Sequence, residues 1–395
     1  MNISPTLNCK NIIQERINNN QIIYNFGLGA NPIKQPDFYI DCLKKYADKK
    51  EYTSAEGIPE LNNTLMNTYS KNNYAHKILL GNGLKELLYI IQLAFDGKII
   101  HITPSWVSYK EQIKIMNKED NLIELETTFE DNYKIDLHLL EELLIKYKTN
   151  NKLLLFDNPN NPTGLVYNND EIKNIASLLQ KYNCLVIADE IYLNLTHYDK
   201  INSISDYIPN LTIVGSSVSK DLGCGGYRLG WLVFPKTQID LFNKCNSYAS
   251  SIYSCPSTPI QYATNKMLLN KDVVIAHYKL NNTIYKYISN EICSILTKSK
   301  IKFIKPNSAW YIFLNFDNYK ERLLLENCKT SIDLSLLLIN ECGIVNVAGD
   351  YFNISGLNIR LSFVDFNITD SVNNDIDISK MTDGLKSLIK YVDSI

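Results

Sequence analysis

The chain has 395 residues, 45% of them hydrophobic and 21% charged, with a formal net charge of −2. That length supports a main domain plus a smaller one, and the near-neutral charge removes the electrostatic case for nucleic-acid or membrane-surface partners. No run reaches the ~18 uninterrupted apolar residues of a membrane span, nine cysteines form no CxxC pair, and five histidines show no metal-ligand spacing, so reduced thiols, a cytoplasmic location and no metal are expected. Met1 to Gln14 have one lysine, no apolar core and no small-residue cleavage site, and no leader is expected there. Only four of forty basic residues are arginine (Arg16, Arg228, Arg322 and Arg360), so each raises the question of which planar, bidentate group it binds.

The N-terminal segment to about Asp48 reads as irregular, with Tyr24 to Pro32 a strand-like entry into a Gly/Pro turn. Tyr52 lies in a loop that ends at Gly57. Pro59 suits the first position of a helix running to about Asn72. From Ile78 the rhythm changes to short apolar strands and amphipathic helices in alternation. Strands are expected at Ile78–Leu80, Lys98–Thr103, Leu122–Leu125, Lys152–Phe156, Cys184–Ala188, Leu211–Val214 and Leu229–Phe234. Helices are expected at Leu84–Phe95, Val107–Met116, Leu137–Lys148, Asn169–Tyr182 and from Pro235 towards Ser250. This alternation predicts an α/β fold with a mainly parallel sheet covered on both faces. Beyond Asp272 a long helix (Val273–Ser299), strands near Ile301–Ile304, Trp310–Leu314 and Leu357–Phe363, and a helix at Ser331–Cys342 suit a smaller α+β domain. The division is residues 1–48 (an arm packed on the small domain), 49–272 (large domain) and 273–395 (small domain).

The loops after the strands carry the chemistry, because ligands in such sheets bind at the carboxyl ends of the strands. Lys220 follows a buried strand within Ser217-Val-Ser-Lys220, ahead of Gly223, Gly225, Gly226 and Arg228. A partly desolvated lysine there can attack a carbonyl, and the hydroxyls and arginine suit an anionic phosphate; a glycine-rich turn with a solvated lysine is the plainer reading. Gly83-Leu84-Lys85 opens a helix whose free N–H groups favour a phosphate. Trp106 offers a stacking face at a strand end, and Asn161 sits in a rigid Asn-Pro loop. Asp189 ends an apolar strand, where a carboxylate requires a partner such as a protonated ring nitrogen. Arg360 lies inside an apolar strand and requires a carboxylate or phosphate, from a ligand or a structural salt bridge.

With these motifs in order, the chain resembles fold-type I pyridoxal-phosphate-dependent aminotransferases of the class I/II family, from about Gly27 to Phe363. The resemblance implies a seven-stranded-type sheet with a smaller α+β domain, pyridoxal 5'-phosphate as cofactor, and a homodimer with shared active sites. It implies that Gly83, Leu84, Lys85, Ser217 and Arg228 hold the cofactor phosphate, joined by Tyr52 from the neighbouring subunit. Trp106 would stack on the ring, Asn161 and Tyr192 would bond its hydroxyl oxygen, and Asp189 would pair with its nitrogen. Lys220 would form the Schiff base and move the proton, Arg360 would hold the substrate α-carboxylate, and Gly29 would lie in the segment closing over the substrate. An amino acid and a 2-oxo acid would react in ping-pong half-reactions. The same residues would serve a β-eliminating lyase or cyclising synthase of this fold, or a non-catalytic cofactor-binding regulator. The donor is not legible: Arg16 and Lys85 are the candidate second cations, although a solvated helix face is the plainer reading of Arg16; Tyr24, Phe26, Trp310 and Tyr311 could line a pocket, with core packing the favoured reading of each; and Ser308 and Val347–Phe352 depart from the family pattern.

Overall fold

The computed structural model describes residues 13–69, 75–197, 201–370 and 375–395. The first twelve residues of the arm and the helix end expected at Asn72 lie outside that set. A helix over residues 13–18 (α1) precedes strand β1 (Tyr24–Asn25), then α2 (Asp37–Lys45) and α3 (Pro59–Tyr69). The large sheet is built next, from β2 (Ala75–Gly81), α4 (Leu84–Ala94), β3 (Lys98–Thr103), α5 (Ser108–Ile115), β4 (Leu122–Glu126) and α6 (Leu137–Lys146). It is completed by β5 (Lys152–Asp157), α7 (Asn169–Lys181), β6 (Leu185–Asp189), β7 (Thr212–Ser217) and β8 (Gly230–Pro235). Helices α8 (Ile239–Ile252), α9 (Thr258–Leu269) and α10 (Lys271–Leu296) follow.

The seven strands run in the order β2-β8-β7-β6-β5-β3-β4, parallel except for β8, which is antiparallel to both its neighbours. Burial on both faces explains the continuous apolar runs, since side chains alternate between two covered surfaces. Leu154, Phe156, Val186 and Val214 point to one face, against α3, α6, α7 and α9, while Leu153, Leu155, Ile187 and Ile213 point to the other, against α4, α5 and α8. Each of these side chains is fully or almost fully buried, worth about 1.5–3 kcal/mol apiece before entropy is charged against it.

The second sheet comprises β9 (Lys302–Phe303), β10 (Tyr311–Asn315), β12 (Val347–Ala348) and β13 (Asn358–Ser362), all antiparallel in the order β12-β13-β10-β9. Beside it lie α11 (Lys320–Leu325), α12 (Ser331–Cys342) and β11 (Ile344–Val345), which pairs with β1 of the arm. Helix α12 carries a Thr330/Asp333 capping box and ends on Gly343 in the left-handed conformation. The structure departs from the expected outline at both ends. The segment before Asp48 is not irregular throughout: α2 forms from Asp37, and its Tyr39 and Cys42 join the core under the large sheet. Beyond Phe363, where no element is expected, the chain adds a hairpin of β14 (Asn367–Asp370) and β15 (Asp375–Asp377) and the helix α13 (Ser379–Ser394). Met381, Leu385, Leu388 and Val392 of α13 lie in the small-domain core.

Candidate active site

A cavity of about 510 Å³ opens at the carboxyl ends of β5, β6 and β7, beside the start of α4. Nine of the residues singled out in the sequence line it: Gly29, Leu84, Lys85, Trp106, Asn161, Asp189, Tyr192, Lys220 and Arg228. Gly83 and Ser217 lie immediately behind that wall, Arg360 reaches it through Asn161, and Tyr52 stands apart, 89% exposed.

Lys220 sits three residues past the end of β7, on a loop closed at its base by pairing of Ser217 with Gly230. Its Nζ donates to the Gly29 carbonyl at 2.6 Å, so the arm crosses directly over the amine. Asn31 fixes this crossing by donating to the Lys220 carbonyl (3.2 Å) and to Asn281 of α10 (2.7 Å), while Tyr285 donates to Asn31 (2.7 Å). Ser217 is buried and its hydroxyl accepts the Ser219 amide at 3.1 Å; Ser219 is the one of the two that lines the cavity.

At the other end of the loop, Arg228 adopts a left-handed conformation (φ 54°) after a 3₁₀ turn at Gly225–Tyr227 and donates to the carbonyls of Gly225 (2.8 Å) and Asn82 (2.7 Å). The guanidinium is thereby placed against the start of α4, where Gly83 caps the helix without any side-chain bond to its first N–H groups. Those groups and the helix dipole make an anion cradle. Gly83 has φ +91°, and a Cβ there would stand within van der Waals overlap of the Arg228 guanidinium. Gly83→Ala should therefore strain the backbone by about 1–2 kcal/mol and displace Arg228. A lowered melting temperature together with weaker binding of inorganic phosphate, followed calorimetrically, would check it.

Asp189 ends β6 and is buried, accepting from the Tyr109 hydroxyl at 2.7 Å and from the Ile191 amide at 3.2 Å. Burial raises its carboxyl to about 6, against the pull of those bonds and of Lys220. Directly across the parallel register lies Asp157 at the end of β5, also buried, which accepts from Asn160 Nδ2 at 3.0 Å and the Asn161 amide at 3.4 Å. Burial and Asp189 together hold Asp157 well above the ordinary carboxylate range. Two buried carboxyls on adjacent strand ends leave the cavity floor in need of a cationic partner.

The opposite wall is cationic. Lys85 lies 5.0 Å from the Trp106 ring centroid, and burial, then Arg228 and Lys220, lower its basicity. Arg360 is 4% exposed, stacked against the rings of Tyr311 (4.5 Å) and Phe352 (5.3 Å). It donates to Asn161 Oδ1 and to the Gly27 carbonyl, each at 3.0 Å, while its Nε has no partner. Asn161 thus spends its oxygen on Arg360 and keeps its N–H₂ group for another acceptor.

Sequence reasoning missed Tyr109, Asp157 and Asn31. Asp157 carries the same signal as Asp189, an acid ending an apolar run, whereas Tyr109 and Asn31 become visible only once the fold brings them together. Arg16 belongs elsewhere: its Nη2 donates to the Ile22 carbonyl at 3.4 Å beside Gly343. Phe26 and Trp310 are fully buried core. Ser308 is buried and donates to the Leu195 carbonyl at 2.9 Å, and Phe352 of the 347–352 segment supports Arg360. Among the described residues no group of three or more His, Cys, Asp or Glu could hold a metal ion, and no helix is long and apolar enough to cross a membrane.

The residues fit pyridoxal phosphate on these grounds: a helix start with an arginine beside it, a buried carboxylate that forms no ion pair among the described residues, an amide and a phenol on one wall, and a lysine on the same cavity. A family model described as aminotransferase class I and II matches residues 23–373. An aspartate aminotransferase of Sulfolobus acidocaldarius is 29% identical over 366 residues, covering 88% of this chain and 87% of the relative. An asparagine–oxo-acid transaminase of Streptococcus mutans is 29% identical over 352 residues, covering 83% and 85%. The solved aspartate aminotransferase of Thermotoga maritima superposes with a TM-score of 0.83 at 24% identity, covering 99% of this chain and 98% of that one.

Proposed function

Since the chain belongs to the aminotransferase class I and II family and is an aminotransferase, we propose that its cavity binds pyridoxal phosphate and transfers the amino group of a dicarboxylic amino acid to a 2-oxo acid. The observation that carries the cofactor reading is the pairing of a cationic wall with a carboxylate floor around one lysine. When bound, the cofactor supplies a ring that takes up the electrons of a broken bond at the substrate Cα.

Everything else is done by this chain. The N–H groups of Leu84 and Lys85, with Arg228 and the Ser217 and Ser219 hydroxyls, hold the phosphate, while the Gly83 N–H is spent on the Gly81 carbonyl at 2.7 Å. Trp106 packs on the ring face, Asn161 and Tyr192 donate to its ring oxygen, and Asp189, oriented by Tyr109, keeps a proton on its nitrogen. Lys220 anchors the cofactor and then, as a free amine, carries the proton away from the substrate Cα. Arg360 holds the α-carboxylate and so orients the bond to be broken. Gly29 and Asn31 bring the arm across the amine and help to exclude water. No observation favours the lyase, synthase or regulator alternatives.

Lys85 supplies the second cation that a dicarboxylate requires, because it is the remaining partly buried cation on the cavity wall once Lys220 and Arg228 have been assigned. The aspartate aminotransferase named above makes aspartate the first donor to test. A panel of amino donors against 2-oxoglutarate and pyruvate should show ping-pong kinetics with acidic donors preferred. Lys85→Ala should cost aspartate about tenfold or more in kcat/KM relative to alanine. A donor profile indifferent to that substitution would remove Lys85 from the role.

A homodimer is the supported assembly. Tyr52 is strongly exposed, and a second groove lined by Ile115, Tyr89, Ile90 and Ile252 shares Lys85 and Arg228 with the main cavity. Apolar surface at a cavity mouth is where a second copy would bring its Tyr52 to the phosphate. A cytoplasmic location fits the eight free cysteines among the described residues, all but Cys255 buried.

A further inference from the structure

Tyr311 opens β10 where three parts of the chain meet, and the reaction as set out above gives it no task. Its ring lies against the Arg360 guanidinium at 4.5 Å, a diagonal contact made by the register that places Phe313 opposite Arg360. Its hydroxyl is 2.7 Å from that of Tyr192. On its far side the arm comes so close that a Cβ at Gly29 would stand 2.5 Å from the Tyr311 oxygen. Lys220, bonded to the Gly29 carbonyl, completes the cluster.

The two hydroxyls are not equivalent. Tyr192 is held well above its ordinary value by burial and by Tyr311 beside it. At Tyr311 burial pulls the same way but is outweighed by Lys220 and Arg360, leaving this phenol the more acidic of the two. Tyr285, the remaining titratable neighbour, is kept neutral by burial. The geometry sets the direction: Tyr192 lines the cavity and Tyr311 does not, so a Tyr192 proton sent into the cavity leaves the Tyr192 oxygen to accept from Tyr311.

We infer that Tyr311 is a positioning residue: its hydroxyl donates to the Tyr192 oxygen and so turns the Tyr192 proton into the cavity, toward the ring oxygen of the bound cofactor. This rests on the reading of Tyr192 as a ring-oxygen donor. Two donors running in one direction reinforce each other, because each bond polarises the next. Arg360 gives the relay an input: a substrate carboxylate paired with the guanidinium offsets the charge that makes Tyr311 acidic.

Tyr311→Phe removes one oxygen and keeps the ring against Arg360. The visible absorbance of the Lys220-linked cofactor is titrated with pH in the holoenzyme, for wild type, Y311F, Y192F and the double variant. A donor at the ring oxygen draws charge away from the neighbouring lysine nitrogen, so its loss should raise the pH midpoint. The expected rise in Y311F is about half a unit to one unit. In the Y192F background the second substitution should add nothing, since the effect runs through Tyr192. An unmoved midpoint in Y311F, with or without a lower melting temperature, overturns the inference, as does an equal shift in both backgrounds. Absence of any Lys220-dependent band in the wild type would instead defeat the cofactor reading on which the inference rests.

Discussion

Lys220→Ala should lower turnover at least about 10⁴-fold and abolish the visible band of the protein-bound cofactor. Two proposed functions would be lost together, the covalent anchor and the amine that moves the Cα proton, and the second alone is worth roughly 10²–10⁴. The cavity holds another amine, Lys85, whose basicity burial lowers, so replacement by a neighbour has to be considered. Lys85 lies against Trp106, where it faces a stacking surface, and it is not bonded under the arm as Lys220 is. Lys220→Arg should be as inactive, because a guanidinium neither condenses with the aldehyde nor gives up its proton near neutral pH. Wild-type turnover in the alanine variant would sink the assignment outright.

Asp189→Asn should separate activity from stability. Without its charge the ring nitrogen loses the partner that keeps it protonated, and turnover should fall about 10³-fold. The cofactor-free protein should move the other way. A carboxyl at about 6 in the fold and about 3.9 in the unfolded chain binds more protons when folded. Its favourable contribution is therefore complete below about pH 4 and is lost as pH rises through about 6. Above that range the buried charge costs about 3 kcal/mol, an order-of-magnitude figure from a shift of roughly two units. Cofactor-free D189N should accordingly melt above cofactor-free wild type at pH 8, with the gap closing towards pH 4, and it also relieves Asp157 across the register. Adding cofactor should reverse the order at pH 8, because only the wild type offers the ring nitrogen a counter-charge. Equal melting at pH 8 without cofactor would show that Asp189 carries no stored electrostatic cost.

The strands of the large sheet were legible because both faces are covered, which forces unbroken apolar runs such as Leu153–Phe156. The site was legible where a residue was costly for its surroundings: Asp189 at a strand end, Arg360 in an apolar strand, Lys220 past a buried run. Asp157 meets the same criterion, but its place opposite Asp189 follows from the β5–β6 register, which the sequence does not carry. Helix α13 shows Met381, Leu385, Leu388 and Val392 at helical spacing, a readable pattern in a segment past the last family motif. Helix α2 is harder, at nine residues and close to neutral hydropathy, and docking on α9 supports it more than its own sequence does. Tyr311 was legible only as an aromatic that could line a pocket; its contacts depend on the β10–β13 register and on an arm nearly three hundred residues away in the chain.

The groups proposed to hold the cofactor all project from the large sheet or its connections, whereas Arg360 is built into the small one. The proposed anchor and the proposed carboxylate clamp therefore stand on different sheets, joined at the Arg360–Asn161 bond. Any widening of the gap between the sheets would break the Arg360–Asn161 bond and loosen the proposed grip on the amino acid or oxo acid, while the cradle of Arg228 and the start of α4, held within the large domain, would keep its geometry. The proposed cofactor would then stay in place through many cycles while the reactants exchange in each one.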